Sequence, residues 1–234
     1  MLALLHTSPV HVRTFDRLRE EEAPGLSLRH IVAEVLLARA QRDGPASVAS
    51  DVESALRQAR EDGATAVLCT CSTIGGVAEA TRAGLPVLRV DRPMAAAAVA
   101  AASRAATGAV MGTADGAVRG SADGAVGRIR VLAALASTVR PTLDLIAEEA
   151  VGHEVATTAS IVDGSWDRFE AGDHDGYLAL IAAAITATAA AADAHVIVLA
   201  QASMADAAAL TTVDIPVLSS PRLGFRAAAT LAAG

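Results

Sequence analysis

Apolar residues along the chain follow two patterns that alternate from one end to the other. Short, continuously apolar runs are typical of strands buried on both faces. These runs are 2–5, 64–70, 85–90, 129–135, 154–161, 195–199 and 215–218. Longer stretches have apolar residues three and four positions apart, which predicts helices. These stretches begin near Val10 and at Ser47, and the later ones span 75–83, 141–150, 175–192, 203–210 and 222–231.

This alternation predicts an α/β fold. Residues 64–90 contain a strand, a helix and a second strand, and such a unit requires a parallel sheet with a right-handed crossover. Between the two halves, the sequence predicts a helix from residue 93 and then a flexible connector over 107–128. Within it, Ala-Asp-Gly-Ala-Val at 114–118 recurs at 122–126, which we interpret as a local duplication in a surface loop.

Charge and composition exclude several classes of protein. The formal net charge is −7 and the arginines are scattered among carboxylates, so we expect no nucleic-acid partner. The chain has no lysine, which excludes Schiff-base chemistry and a Walker phosphate loop. Its two cysteines form no disulfide framework, which favours a reduced, cytoplasmic location. The uncharged stretch 177–192 is short and rich in alanine, so it predicts a buried helix and no membrane association.

The clearest candidate for chemistry is the sequence Cys-Thr-Cys-Ser-Thr at 69–73, where a predicted strand ends before a helix. Ligands of open α/β sheets bind outside the carboxyl ends of the strands. Backbone N–H groups at a helix start can also hold a substrate carboxylate. Cys69 lies inside the strand and is predicted to be a core residue, whereas Cys71 lies at the strand end and is the candidate catalytic residue.

Four segments, in this order, resemble the aspartate/glutamate/hydantoin racemase superfamily. Leu-His-Thr-Ser-Pro at 5–9 is similar to the end of that family's first strand, where a small polar residue contacts substrate. Cys-Ser-Thr at 71–73 resembles its first cysteine motif, usually Cys-Asn-Thr. The segments 85–94 and 137–142 resemble its fourth strand with the linking helix, and the hydroxyl-rich loop that opens its second half.

The resemblance implies two similar Rossmann-like lobes, each with a parallel four-stranded sheet, and an active site in the cleft between them. The first lobe would comprise 1–93 and 219–234, and the second lobe 94–218. The resemblance also implies a small carboxylate substrate, no cofactor, and a homodimer or larger homo-oligomer. Aromatic residues make up only 2% of the chain, which favours an aliphatic substrate, and the six histidines show no metal-type spacing.

In the racemases of this superfamily, one cysteine from each lobe flanks the substrate α-carbon, and the two thiols move protons on opposite faces. This chain has no cysteine at the position of the second one: Gln201, Ala202 and Ser203 follow the strand that should precede it, and no cysteine occurs after Cys71. The resemblance therefore implies a racemase- or isomerase-type enzyme that acts through Cys71 alone. The candidates for a second acid or base are His6, Asp173 and His174. The residues expected to bind carboxylate oxygens are Ser8, Ser72, Thr73, Ser137, Thr138, Gln201, Ala202 and Ser203.

Three alternatives stay open at this point. A single-cysteine decarboxylase of malonate-type acids would use the thiol to protonate an enolate. A cis–trans isomerase would add the thiol covalently to an unsaturated acid. A catalytically silent carboxylate-binding protein would have kept the pocket and lost the chemistry, and the missing second cysteine is the reason to consider this alternative.

Overall fold

The structure is a computed structural model that describes residues 1–111 and 126–234, apart from the side chains of 109–111. Nearly all of the duplicated segment, predicted at 114–126, and much of the connector predicted over 107–128 lie outside the described residues. The described chain divides into two compact units. Unit 1 comprises Met1–Met94, Gln201–Ser203 and Ser219–Gly234, and unit 2 comprises Ala95–Ala200 and Met204–Leu218.

Strands and helices alternate along the chain, as the apolar pattern predicts. The strands are β1 Leu2–His6, β2 Leu28–Val32, β3 Ala66–Cys69, β4 Val87–Arg89, β5 Gly127–Ala133, β6 Val155–Ile161, β7 Val196–Leu199 and β8 Val217–Ser219. The α-helices are α1 Val10–Glu22, α2 Glu34–Asp43, α3 Ala49–Glu61, α4 Ser72–Ala80, α5 Arg92–Met111, α6 Ala136–Glu149, α7 Ser165–Glu170, α8 His174–Ala190 and α9 Ser220–Ala233. Two further segments, Pro45–Val48 and Ala202–Leu210, form 3-10 helices.

Unit 1 is built on a parallel sheet with strand order β2-β1-β3-β4. The central strands β1 and β3 are buried along their whole length, which explains their continuously apolar sequences. One surface of the sheet, which we call the Leu5 face, includes Cys69 and packs against α2, α3 and α4. The opposite surface, the Leu4 face, includes Leu68 and packs against α1 and α9. Complete burial of each large apolar side chain stabilises the fold by about 1.5–3 kcal/mol.

Unit 2 has the same arrangement, with strand order β6-β5-β7-β8. Its core includes the buried residues Tyr177 and Ile181 of α8, which pack in one cluster with Leu199 of β7. The uncharged stretch 177–192 thus contributes a core helix, as predicted. No helix within the described residues is both long enough and apolar enough to cross a membrane.

The two parallel four-stranded sheets confirm the predicted α/β fold. The sequence pattern missed β2, α2 and the short α7. β2 lies at the edge of its sheet, and its residues are only partly buried or exposed, so no apolar run marks it. α2 follows it after a single residue, and only Leu36 and Ala40 of this helix are buried.

Several element boundaries differ from those predicted. α6 begins at Ala136 and includes Pro141, so the segment 137–142, expected to be a loop, forms the start of a helix. The segment expected to be a helix over 203–210 is a 3-10 helix. α4 ends at Ala80, earlier than expected, because Thr81 adopts an extended backbone with ψ of 126°. α9 begins earlier than expected, with a proline in its first turn, where the missing N–H costs no hydrogen bond.

Candidate active site

The site lies where β1 and β3 of unit 1 run side by side. From β1 the chain crosses to β2 on one side, and from β3 it crosses to β4 on the other. Such a switch in strand order leaves a crevice at the carboxyl ends of the two strands, where open α/β sheets bind ligands. Leu5 is in register with Cys69, so Ser8 and Cys71 both follow strand ends at the same edge of the sheet.

Cys71 lies at the start of α4. It is the residue immediately before the helix, with an extended backbone, and its side chain is 9% exposed whereas Cys69 is fully buried. Ser72 and Thr73 occupy the first turn of α4, and both side chains are buried. The N–H groups of a first helical turn carry partial positive charge, so this end of α4 favours an anion next to the Cys71 thiol.

The two cysteines differ in their chemical environment. Burial is the largest of several effects that raise the pKa of Cys69, and its thiol donates a long hydrogen bond of 3.8 Å to the carbonyl oxygen of Cys71. Cys69 is therefore an inert thiol of the core, as its position inside β3 predicts.

We expect iodoacetamide to alkylate Cys71 of the folded protein at least about tenfold faster than Cys69, because a fully buried thiol with a raised pKa forms little thiolate. Peptide mass spectrometry after timed labelling measures both rates. In urea, where both cysteines are exposed, the two rates should become similar. Equal rates in the folded protein would contradict the different environments described here.

A chain of hydrogen bonds holds His6 at the end of β1. His6 Nδ1 lies 2.8 Å from Thr70 Oγ1, and His6 Nε2 lies 2.9 Å from Nδ1 of His30 in β2. His30 Nε2 in turn lies 3.1 Å from Oδ1 of Asp16 on α1. Burial, with smaller contributions from His11 and His30, lowers the pKa of His6 to about 3. His6 is therefore neutral at pH 7, and both of its ring nitrogens are occupied.

A buried ion pair lies at the end of β4, next to α4. Arg89 donates hydrogen bonds of 2.7 and 2.9 Å to the two carboxylate oxygens of Asp91, and both side chains are almost completely buried. Burial alone would lower the pKa of Arg89, but the hydrogen bond and charge of Asp91 outweigh it and raise that pKa. Gly75 of α4 allows the close approach, because a Cβ atom there would lie 3.0 Å from Cβ of Arg89.

The other candidate residues fall in both units. Gln201, Ala202 and Ser203 belong to unit 1 by their contacts, with the first two buried. Ser137 and Thr138 lie in the first turn of α6, and His174 is the first residue of α8, so these three belong to unit 2. Within the described residues, no group of three or more histidine, cysteine or acidic side chains is arranged to bind a metal ion.

Asp173, the remaining candidate acid or base, precedes α8 and belongs to unit 2. Its carboxylate accepts a hydrogen bond of 3.0 Å from the backbone N–H of Gly176 and pairs with Arg168. The hydrogen bond from Arg168, and then that from Gly176, lower the pKa of Asp173. Asp173 thus caps a helix as a carboxylate.

Sequence reasoning missed His11 and the Arg89–Asp91 pair, which both lie at this edge of unit 1. His11 is the second residue of α1, and its ring centroid lies 6.3 Å from that of His6. A spacing of four residues from the buried Phe15 is the signal that could have placed His11 on the inner face of α1.

Solved structures of racemases and a decarboxylase share this fold. A glutamate racemase isoform, RacE1, from Bacillus anthracis superposes with a TM-score of 0.68 at 15% identity, over 99% of this chain and 80% of that one. Picrophilus torridus aspartate racemase has a TM-score of 0.69 at 13% identity, over 100% of this chain and 94% of that one. For arylmalonate decarboxylase the TM-score is 0.56 at 15% identity, over 100% of this chain and 92% of that one. No protein-family model and no curated protein matches the sequence. The chain thus has the fold of the aspartate/glutamate racemase superfamily, which confirms, at the level of fold, the resemblance that its motifs indicate.

Proposed function

We propose that this protein is a cofactor-independent racemase-type enzyme that acts on a small aliphatic amino acid or carboxylic acid through Cys71. The observation that carries the proposal is the position of that thiol. Cys71 follows the end of β3 at the switch point of the sheet and directly precedes α4. This is where an α/β sheet binds its ligand and where a helix start favours an anion.

Each part of this edge has a task in the proposed reaction. The backbone N–H groups of the first turn of α4, with the hydroxyls of Ser8, Ser72 and Thr73, would bind the substrate carboxylate. When the α-proton leaves, negative charge moves onto that carboxylate, so the same hydrogen-bond donors stabilise the carbanion that forms. Cys71 would transfer a proton at the α-carbon, because a thiol can act both as an acid and, once ionised, as a base.

Fold similarity to arylmalonate decarboxylase supports a second candidate, in which the same thiol protonates an enolate left by loss of carbon dioxide. The two reactions share the carboxylate-binding edge and the proton transfer to carbon. They differ in which bond at the α-carbon breaks first, and an isotope experiment separates them.

The experiment incubates the protein without added cofactor in deuterium oxide with each enantiomer of alanine, aspartate and glutamate. A racemase should produce the opposite enantiomer with deuterium at the α-position, which chiral chromatography and proton NMR both detect. A parallel incubation with methylmalonate measures the release of carbon dioxide.

Each outcome decides between the interpretations. Deuterium exchange with inversion supports the proposed racemase. Release of carbon dioxide from methylmalonate without exchange of the amino acids would contradict it and favour the decarboxylase. If these acids raise the melting temperature by mass action while none of them reacts, the protein is the silent binder and the enzymatic proposal is wrong.

A further inference from the structure

His11 lies above the carboxyl edge of the sheet in unit 1. Phe15 and Leu18 are the buried residues of α1, and His11 precedes Phe15 by one helical turn on the same side. The centroid of the His6 ring lies 5.7 Å from that of Phe15 and 6.3 Å from that of His11. Because His6 ends β1, the ring one turn before Phe15 is placed at the edge where Ser8 and Cys71 follow the strands.

His11 and Cys71 approach that edge from opposite sides of the sheet. Cys71 packs in the cluster of the Leu5 face, together with Cys69 and Ile74. α1 covers the Leu4 face, where Phe15 is part of the cluster. Side chains of a strand alternate between its two faces, so His6 points to the same side as Leu4, and the His11 ring lies beside it. A ligand bound at this edge would therefore have the thiol on one side and the imidazole on the other.

The His11 ring is in a state that can accept a proton. Its side chain is half-buried, and neither ring nitrogen makes a hydrogen bond within the described part of the chain. Burial lowers the pKa of His11 to about 4, so the ring is neutral at pH 7 and one nitrogen has a free lone pair. His6, by contrast, uses both ring nitrogens in hydrogen bonds. A bound carboxylate close to His11 would favour the imidazolium formed on proton transfer.

We propose that His11 is the second acid–base residue of the site and takes the place of the cysteine that this chain lacks. The inference rests on the proposed function. The neutral His11 nitrogen removes the α-proton, the C–H bond breaks, and its electron pair moves into the carboxylate as an enediolate. The Cys71 thiol then gives its proton to the opposite face of the α-carbon. The products are imidazolium and thiolate, the form that converts the other enantiomer in the reverse direction.

Replacement of His11 by glutamine tests this assignment, because each face of the carbanion depends on one residue. His11→Gln should lower racemisation roughly 10²- to 10⁴-fold, the usual contribution of a positioned acid or base. It should also abolish solvent deuterium exchange from one enantiomer of the amino acid that the wild-type protein racemises, while the other enantiomer still exchanges through Cys71. Cys71→Ala should give the reciprocal pattern.

Controls separate a catalytic role from a structural one. His153 is an exposed histidine of unit 2 outside the proposed site, so His153→Gln should leave both exchange rates unchanged. Thermal unfolding checks that the variants fold, and His11→Asn serves as a second, smaller replacement. If the wild-type protein racemises and the folded His11 variant slows exchange from both enantiomers equally, or from neither, the assignment of His11 is wrong. If the wild-type protein exchanges no α-proton, the proposed function fails first and this inference falls with it.

Discussion

Replacing Cys71 with alanine is expected to lower net racemisation by roughly 10²- to 10⁴-fold while the protein stays folded. The reason is that no other thiol reaches the edge of the sheet in unit 1, since Cys69 is completely buried on the Leu5 face. Chiral chromatography of timed reactions gives the rate, and circular dichroism with thermal unfolding shows whether the fold is intact.

Cys69→Ala is the matched control, because it removes the same atom from a cysteine two residues away. It leaves a small cavity in the core and should lower the melting temperature more than the Cys71 variant does, with little change in the rate per folded molecule. Full racemase activity in the folded Cys71→Ala protein would show that the chemistry lies elsewhere.

Replacing Arg89 with methionine is expected to lower the free energy of unfolding by about 3–5 kcal/mol. The variant would leave the Asp91 carboxylate fully buried without its cationic partner, and a buried unpaired charge is among the most destabilising changes that a single substitution makes. Urea unfolding monitored by circular dichroism measures the loss as a lower midpoint.

Two further variants test whether the lost pairing is the cause. In Arg89→Met/Asp91→Leu both charges are removed, so the double variant should be clearly more stable than Arg89→Met alone. Arg140→Met makes the same substitution in an ion pair on the surface of α6, where Arg140 and Asp144 are largely exposed, and should change the midpoint little. Equal losses in the single and the double variant would contradict the explanation.

The sequence predicted the central strands because a strand buried on both faces is a continuous apolar run. It predicted most helices because their apolar residues recur three and four positions apart. The same reasoning failed at β2, where a strand at the sheet edge keeps partly exposed positions and includes His30. It also failed at the start of α6, where a hydroxyl-rich segment with a proline was expected to be a loop although the rest of the helix was predicted. There the helix begins before Pro141, and Thr138 is buried.

The candidate site was predictable where the local sequence determines it. Cys71 lies between the end of a strand and the start of a helix, and both features are visible in one short stretch of sequence. The partners of the site were not predictable, because they come together only through sheet register and helix packing. His6 at the end of β1 makes a hydrogen bond with Thr70, which follows β3. His30 of β2 makes one with Asp16 of α1.

The buried ion pair could not be predicted from the sequence for a different reason. Arg89 is the last residue of β4, and Asp91 follows two positions later in the turn after that strand. Charged residues at the end of a strand are usually solvated. Nothing in the local sequence therefore indicated that α4 covers this pair, which its two glycines, Gly75 and Gly76, allow it to approach closely.

The position of α9 has a consequence for the order in which the protein folds. This helix, near the end of the chain, supplies Phe225 and Ala228 to the cluster on the Leu4 face, and Arg222 and Arg226 tie it to acidic residues of α1. A ribosome makes all of unit 2 before it makes this helix. The part of the Leu4 face that α9 covers therefore stays open to solvent until α9 has been made, and unit 1 completes its core after unit 2 has had time to form its own. Until α9 has been made, newly made chains thus expose the apolar surface of β1 and β3 that this helix covers, and chaperones would bind them at that stage.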